Sequence, residues 1–292
     1  MKNTKFPSYI EIQTTDSCNG RCTICPSQFV ARKGVMTDFI FRKIIDEVSI
    51  FPDPPRIIPY LNGEPLLDAK ICDRLDYIRK KCPLSEIEIS TNLSQLNCDH
   101  LKTFDRILLD DLRISCFGFS KSSYEKCMQG LKFDTFLKNI ELLYNHQKQN
   151  MMIKKIEVVM ILFEETRHEE IEELKKFCEE RNFHFNLWGF LDRSQNVRAY
   201  SNNINITPDG NLRECELHRY NERMYILSNG DVVPCCDDWN GKYILGNVKS
   251  NTLLDIWNGS LYRHFRSSAN GDIANTIPEL CSKCKLYIEE RK

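Results

Sequence analysis

The sequence predicts an α/β protein built from six parallel strand–helix units, followed by a smaller cysteine-rich part. Three observations predict this architecture. Short apolar runs of strand length alternate with amphipathic segments of helical period over the first two thirds of the 292 residues. Three clustered cysteines directly follow the first of these runs. Beyond about Asn203 the alternation stops, and turn-rich segments with five further cysteines take its place.

The strand–helix units can be assigned in order along the chain. Strands are expected at Tyr9–Gln13, Ile57–Leu61, Ile87–Ser90, Leu112–Phe117, Ile156–Leu162 and Phe183–Trp188. Helices are expected at Asp38–Ile50 with Thr37 as N-cap, at Asp68–Lys81, near His100–Phe104, at Phe133–Asn150 and at Arg167–Asn182. Such units form a partial (β/α)6 barrel or a doubly wound sheet, and in both the functional site lies at the carboxyl ends of the strands.

The C-terminal part is expected to form a small second domain. We place the boundary near residue 200, so that residues 1–200 form the core domain and 201–292 the second domain. Two hairpins are predicted at Ile204–Glu214 and Met224–Val233, around Pro208-Asp-Gly and Ser228-Asn-Gly. Short helices are predicted at Leu253–Trp257 and Leu261–Ser267.

Composition limits the function classes. Hydrophobic residues make up 41% and charged residues 28%, a globular balance. The formal net charge of -1 provides no basic field for nucleic acid. No stretch approaches the roughly 20 apolar residues that span a bilayer, and no signal-peptide pattern is present. We expect a cytoplasmic protein without nucleic-acid or membrane partners, whose 14 cysteines are metal ligands, reactive thiols or buried side chains.

The three clustered cysteines are Cys18, Cys22 and Cys25, with the spacing C-x3-C-x2-C. Three thiolates on one loop can hold three irons of a [4Fe–4S] cluster and leave the fourth iron with an open position. Such an iron can bind and reduce a ligand, which a fully ligated electron-transfer centre does not do. A zinc site is the alternative, although structural zinc takes four ligands in more regular pairs.

The run from Cys18 to Cys25 resembles the C-x3-C-x-Φ-C signature of the radical S-adenosylmethionine (SAM) enzymes, which follows the first strand of a partial TIM-like barrel. The resemblance implies that the open iron binds the amino and carboxylate groups of SAM. Reductive cleavage of SAM then yields a 5′-deoxyadenosyl radical that abstracts hydrogen from a substrate. It also implies a reductant such as flavodoxin or ferredoxin. The Φ position, usually aromatic in the family, is Ile24 here.

Other segments resemble the family's SAM-binding motifs at the expected strand ends. Leu61-Asn62-Gly63-Glu64-Pro65 resembles the Gly-Gly-Glu-Pro motif, in which glycine permits close backbone approach and the glutamate can pair with the methionyl ammonium. The resemblance further implies SAM contacts from four polar residues after strands three, four and six, namely Ser90, Asn92, Ser115 and Arg193. The alternative is that the first three satisfy local backbone groups and that the arginine is solvated.

A second group of cysteines lies in segments similar to SPASM and Twitch domains, which are auxiliary-cluster domains appended to radical SAM cores. No cysteine follows Cys284, so the resemblance implies one auxiliary [4Fe–4S] cluster in place of the two of a full SPASM domain. The expected ligands are Cys215, Cys235, Cys281 and Cys284, with Cys236 spare. The reverse assignment of Cys235 and Cys236 stays open, as does a four-cysteine zinc site.

Two [4Fe–4S] clusters and SAM indicate an oxidoreductase or an epimerase. We expect hydrogen abstraction from a small polar substrate resembling a carbohydrate or an aminocyclitol. Electron loss to the auxiliary cluster then gives oxidation, whereas return of hydrogen from a thiol gives epimerisation. Cys236 is the candidate hydrogen donor, and a packed bystander cysteine is the alternative. Peptide epimerisation or cross-linking is the second expected function. A non-catalytic iron–sulfur or zinc module is a third, against which the Gly63-Glu64 motif argues.

Overall fold

Six parallel strands form the centre of the computed structural model and follow one another in chain order. They are β1 (Tyr9–Ile12), β2 (Arg56–Ile58), β3 (Glu88–Thr91), β4 (Asp111–Ser115), β5 (Lys155–Ile161) and β6 (His184–Trp188). A parallel bridge between Ile57 and Ile87 joins β2 to β3. A doubly wound sheet would reverse its strand order in the middle, so this consecutive order identifies a partial (β/α)6 barrel. The structure describes residues 6–30, 34–150, 152–162, 166–189, 212–215, 218–273, 276–284 and 287–289.

The helices that connect these strands match most of the predicted segments. They are α1 (Asp38–Val48), α2 (Ile71–Lys81), α3 (Cys98–Ile107), α4 (Lys121–Cys127), α5 (Phe133–Asn150) and α6 (His168–Glu179). Thr37 caps α1 as predicted, because its side chain accepts a hydrogen bond from the Ile40 amide.

Two helices differ from the prediction. The second begins at Ile71 instead of Asp68, since the Asp68 amide closes a 3₁₀ turn over Pro65–Leu67. The Asp68 side chain then accepts from the amide of Lys70 (3.0 Å). Helix α4 is absent from the predicted elements because its seven residues are too few for a helical period. A capping box between Ser120 and Ser123 begins it.

The barrel strands present one apolar and one polar face. Ile89 on β3 and Leu112 on β4 are fully buried and belong to one core cluster with residues of the surrounding helices. The neighbouring positions Glu88 and Arg113 point to the opposite face and pair with each other at 2.7 Å. The helices therefore cover the apolar outer face, and charged side chains occupy the interior of the barrel.

The C-terminal part extends the barrel sheet with short elements. Its strands are β7 (Leu212–Cys215), β8 (Arg223–Ile226), β9 (Asp231–Val233), β10 (Gly246–Asn247) and β11 (Tyr287–Glu289), and its helices are α7 (Arg219–Glu222), α8 (Leu253–Trp257), α9 (Ser260–Ala269) and α10 (Glu279–Ser282). Strand β8 pairs in parallel with β1 and forms an antiparallel hairpin with β9, which confirms the hairpin predicted at Met224–Val233. The core and the C-terminal part thus share one sheet.

The first predicted C-terminal hairpin, Ile204–Glu214, can be followed only at its end. Residues 212–214 belong to β7, which pairs antiparallel with β11 near the end of the chain. Residues 204–211 lie outside the described residues, as does the boundary proposed near residue 200. None of the described helices is long and apolar enough to cross a bilayer.

Candidate active site

The loop that follows β1 carries the three-cysteine motif at the carboxyl end of the barrel. The amide of Arg21 donates to the carbonyl of Gln129 (2.7 Å), and the amide of Thr23 donates to the carbonyl of Cys127 (2.9 Å). Both carbonyls lie at or just after the end of α4. Helix α4, missing from the sequence prediction, therefore fastens the cysteine loop to the barrel.

The thiols of Cys18 and Cys25 lie close enough to Cys22 to affect its ionisation. Burial raises the pKa of Cys22 well above its ordinary value, and the nearby Cys25 and Cys18 raise it further. The amide of Gly20 donates to Sγ of Cys18 at 3.3 Å, a contact that suits a thiolate. Thiols crowded in this way fit a metal cluster, whose positive charge stabilises all three thiolates.

The Asn62-Gly63-Glu64 motif packs directly against the cysteine loop. The amide of Glu64 donates to the carbonyl of Ser17 at 2.8 Å. Gly63 has a φ of +119°, and a Cβ atom built on it would lie 2.4 Å from the carbonyl oxygen of Thr15. Only glycine fits this close approach of two backbones. The motif thus holds the cysteine loop and the end of β2 at a fixed spacing.

The Glu64 carboxylate is buried, with 2% of the residue exposed, and connects two strand ends. It accepts hydrogen bonds from the Leu66 amide (3.1 Å), the Thr91 hydroxyl (2.6 Å) and the Asn92 amide (2.7 Å). Burial nevertheless raises the pKa of Glu64 to about 7, and these three donors lower it only in part. A buried carboxylate with neutral partners fits a ligand ammonium, which is the role that the sequence predicts for Glu64.

Replacing Glu64 by glutamine should change how stability depends on pH in the protein without SAM. A pKa raised from 4.5 to about 7 in the folded state means that stability falls as pH rises between these values. Between pH 5 and pH 8, the free energy of unfolding of the wild type should fall by about 2.5 kcal/mol relative to that of Glu64→Gln. Urea unfolding of both proteins at the two pH values measures this difference. A constant difference between the two proteins would contradict the assignment of a buried, titrating carboxyl group.

Asn92 connects the end of β3 to the cysteine loop. Its Nδ2 donates to Oδ1 of Asn19 at 3.1 Å and lies 4.0 Å from Sγ of Cys18. Its Oδ1 accepts from the amide of Ser94 at 2.9 Å, and Nδ2 of Asn19 donates to the hydroxyl of Ser94 at 2.8 Å. The structure therefore places Asn92 beside the cysteine motif and gives it a structural partner there, and its contact with SAM stays a prediction.

The remaining predicted SAM contacts differ in how far the structure describes them. Ser90 and Ser115 are half-buried at the carboxyl ends of β3 and β4, on the interior face. Asn62 is buried, and among the described residues its Nδ2 has no hydrogen-bond acceptor, so a donor is available to a ligand at the motif. Ile24 is 2% exposed and packs in the core, where it offers no surface to a ligand. Arg193 lies outside the described residues.

An ion-pair layer, which sequence reasoning missed, fills the barrel interior below these serines. Glu88 accepts from the Tyr60 hydroxyl (2.8 Å) and pairs with Arg113 (2.7 Å) and Arg56 (3.3 Å). Arg113 also pairs with Glu157 (2.9 Å). We call these five residues the interior ion-pair layer. The layer could have been found from the alternation of side chains along a strand. Glu88 lies two positions before Ser90, and Arg113 two positions before Ser115, so each pair lies on the same strand face.

The four expected auxiliary ligands meet in the C-terminal part. One cavity is lined by Cys215, Cys235, Cys281 and Cys284 together with Arg219, Tyr220, Phe265 and Leu280. Burial raises the pKa of Cys281 above its usual range, and Cys284 and Cys215 raise it further, so these thiols are neighbours. Four converging thiols in a mostly apolar cavity fit either a fully ligated iron–sulfur cluster or zinc. Arg219 has no motif that would have revealed it from sequence.

Cys236 does not line this cavity. It packs against a small apolar cluster formed by Tyr225, Leu227 and Val233, beside Leu61. Leu61 directly precedes the Asn62-Gly63 motif. Cys235 lines the cysteine cavity, and the adjacent Cys236 packs beside Leu61 while its thiol is hydrogen-bonded to that of Cys235. The sulfur atoms of both residues and a carboxylate oxygen of Asp237 lie within 4.8 Å of one another.

Sequence profiles of two families match the chain. The profile of the Radical SAM superfamily matches residues 12–178. The SPASM profile, an iron-sulfur cluster-binding domain, matches residues 215–285. The two matches include the three-cysteine motif, the Asn62-Gly63-Glu64 motif and the four cysteines of the C-terminal cavity.

Two curated proteins match nearly the whole chain at low identity. One is the tungsten-containing aldehyde ferredoxin oxidoreductase cofactor-modifying protein of Pyrococcus furiosus, with 22% identity over 95% of this chain and 87% of the relative. The other is the S-adenosyl-L-methionine-dependent 2-deoxy-scyllo-inosamine dehydrogenase of Niallia circulans, with 21% identity over 96% of this chain and 93% of the relative.

Solved structures share the fold. BtrN in complex with AdoMet and 2-DOIA matches with a TM-score of 0.64 and 18% identity, over 97% of this chain and 92% of BtrN. SuiB of Streptococcus suis bound to its precursor peptide SuiA matches with a TM-score of 0.72 and 17% identity, over 98% of this chain and 75% of SuiB. One of these proteins was solved with a small molecule and the other with a peptide.

Proposed function

The chain belongs to the radical SAM superfamily and carries a SPASM-type iron–sulfur domain, and from this premise we propose that it abstracts hydrogen from a small polar substrate held inside the barrel. The observation that carries this proposal is the interior ion-pair layer. It lies on the same strand faces as Ser90 and Ser115, one layer deeper into the barrel.

Different residues at the carboxyl ends of the strands are proposed to bind the iron–sulfur cluster and SAM. Cys18, Cys22 and Cys25 would hold the [4Fe–4S] cluster, and Glu64 would face the SAM ammonium. Reductive cleavage of bound SAM supplies a 5′-deoxyadenosyl radical. Asn92 keeps the end of β3 against the cysteine loop through Asn19, and so orients both binding elements together. Asn62, Ser90, Ser115 and Arg193 are proposed as further polar contacts to SAM.

The chemistry of the barrel interior favours a polar substrate with little net charge. In the interior ion-pair layer two carboxylates face two guanidinium groups, so neither sign dominates. Glu157 gains a second cation from Lys155 at 2.7 Å. Such a surface offers both donors and acceptors at fixed positions, which suits hydroxyl and amino groups on a compact ring. A carbohydrate- or aminocyclitol-like molecule has this chemistry, and the match to 2-deoxy-scyllo-inosamine dehydrogenase supports it.

Two outcomes of hydrogen abstraction are proposed, oxidation and epimerisation. Epimerisation needs a hydrogen donor on the opposite face of the substrate, and we propose Cys236 for this role. The observation in its favour is its packing beside Leu61, which directly precedes the Asn62-Gly63 motif. Donation of the thiol hydrogen forms a C–H bond and leaves a sulfur radical. One electron from a ferredoxin- or flavodoxin-type reductant, with one proton from solvent, restores the thiol.

The test is turnover in deuterated water by the anaerobically reconstituted protein, with SAM, dithionite and a panel of sugars and aminocyclitols. We expect one class of polyol to increase 5′-deoxyadenosine formation at least about tenfold, which is 1.4 kcal/mol of barrier. Solvent deuterium at an inverted carbon identifies epimerisation, and a ketone without it identifies oxidation. In the first case Cys236→Ala should lose the epimer but keep 5′-deoxyadenosine, and unchanged epimer yield would exclude Cys236 as donor.

The second candidate function is peptide modification, favoured by the fold shared with SuiB, which was solved with its precursor peptide. The same assay discriminates between the two functions if short peptides are included in the panel. Stimulation by peptides, with no response to any polyol, would replace the small-molecule proposal. No 5′-deoxyadenosine under any condition would oppose both functions.

A further inference from the structure

Arg219 lines the C-terminal cysteine cavity. It follows Cys215 by four residues and begins α7. Its NH1 donates to Oδ2 of Asp237 at 2.7 Å and lies 3.6 Å from Sγ of Cys235. Among the described residues that line the cavity, Arg219 is the one with a permanent positive charge.

The surroundings of Arg219 are nearly closed to solvent. The side chains of Arg219 and Asp237 are 13% and 6% exposed. Burial by itself lowers the pKa of Arg219, but Cys236, Cys235 and Asp237 raise it by more than this. A charge in such a place is weakly screened, so it acts on neighbouring sulfur atoms more strongly than a surface charge does.

The charge of Arg219 also acts on a carboxyl group of the barrel. Arg219 is among the cations that lower the pKa of Glu11 on β1, which burial raises overall. Arg223 on β8 pairs directly with Glu11 at 2.9 Å, so Arg219 is the more distant of two cations that act on this carboxylate. One guanidinium group therefore lines the cysteine cavity and lowers the pKa of a buried carboxyl group on β1.

We propose that Arg219 sets the reduction potential of the auxiliary iron–sulfur centre through its contact with the Cys235 sulfur, held in place by Asp237. This inference rests on the proposed assignment of Cys215, Cys235, Cys281 and Cys284 as ligands of that centre. A reduced cluster carries one more negative charge than the oxidised one, and a fixed cation beside a ligand sulfur stabilises the reduced form. Arg219 thereby makes the auxiliary centre a better electron acceptor; it acts through Cys235 and is a positioning residue.

The experiment uses the full chain with Cys18, Cys22 and Cys25 replaced by alanine, so that the auxiliary centre is the one expected to hold iron. Its potential is measured by redox titration followed by electron paramagnetic resonance. In this background Arg219→Met should lower the reduced-to-oxidised ratio about tenfold at a fixed ambient potential, which is 59 mV for one electron. Arg219→Lys should retain part of the effect, because it keeps the charge but loses the planar fork.

Two further variants keep the inference falsifiable. Asp237→Asn should shift the ratio in the opposite direction, because it removes a negative charge and leaves the cation. Arg263→Met is the matched control, since it removes one positive charge from an exposed position on α9 and should not shift the potential. An unchanged potential in both Arg219→Met and Asp237→Asn, with iron content intact, would overturn the role of Arg219. Zinc in place of iron would overturn the ligand assignment and, with it, this inference.

Discussion

Replacing Cys18, Cys22 and Cys25 by alanine is expected to abolish 5′-deoxyadenosine formation while leaving the C-terminal iron in place. The three thiols are crowded on one loop, and Cys25 and Cys18 add to the rise that burial causes in the pKa of Cys22, so they form a single site. The four C-terminal thiols line a separate cavity. We expect a rate loss of roughly 10⁴-fold or more, which is about 5 kcal/mol of activation free energy.

Iron content provides the second measurement for this variant. Iron should fall from about eight to about four per chain, because one of two [4Fe–4S] clusters is lost. Cys178→Ala is the matched control, since Cys178 is fully buried in α6 and belongs to neither cysteine group. Cys178→Ala should lower the free energy of unfolding through lost packing, with iron content and turnover unchanged. Retention of 5′-deoxyadenosine formation by the triple variant would contradict the assignment of the SAM cluster.

Gly63→Ala should both destabilise the protein and prevent SAM binding. The added Cβ would lie 2.4 Å from the backbone oxygen of Thr15 and 3.1 Å from that of Ser17, and φ at this position is +119°. Neither oxygen can rotate away as a flexible side chain can, so the cysteine loop must shift. We expect a loss of about 3 kcal/mol in the free energy of unfolding and at least about a hundredfold weaker SAM binding.

Gly34→Ala is the control that separates backbone strain from the steric contact as causes of the Gly63→Ala effect. Gly34 also has a positive φ, of +92°, but a Cβ built on it meets no atom of the described residues within 4 Å. It should cost only the backbone strain, about 1 kcal/mol, and leave SAM affinity unchanged. Urea unfolding and SAM titration of the reconstituted variants measure both quantities. Equal effects of the two substitutions would show that the contact with the cysteine loop is unimportant.

Local patterns predicted most elements of the barrel because each arises within one segment. The alternation of apolar runs with helical periods located the six strands, and Thr37 marked the start of α1 as its N-cap. Helix α4 is missing from the prediction because its buried side chains, Tyr124 and Cys127, are too few to show a period. Its function as an anchor for the cysteine loop depends on contacts between segments about a hundred residues apart.

The sequence by itself determined the superfamily chemistry. The C-x3-C-x2-C motif and Gly63-Glu64 are short motifs, and each lies within a single loop that can be read locally. Only the tertiary structure decided what lies around them. It paired β1 with β8, paired Glu88 with Arg113 inside the barrel, and placed Arg219 against Asp237 and the Cys235 sulfur. The physical reason is that burial and charge pairing depend on distances between residues remote in the chain, which no local pattern records.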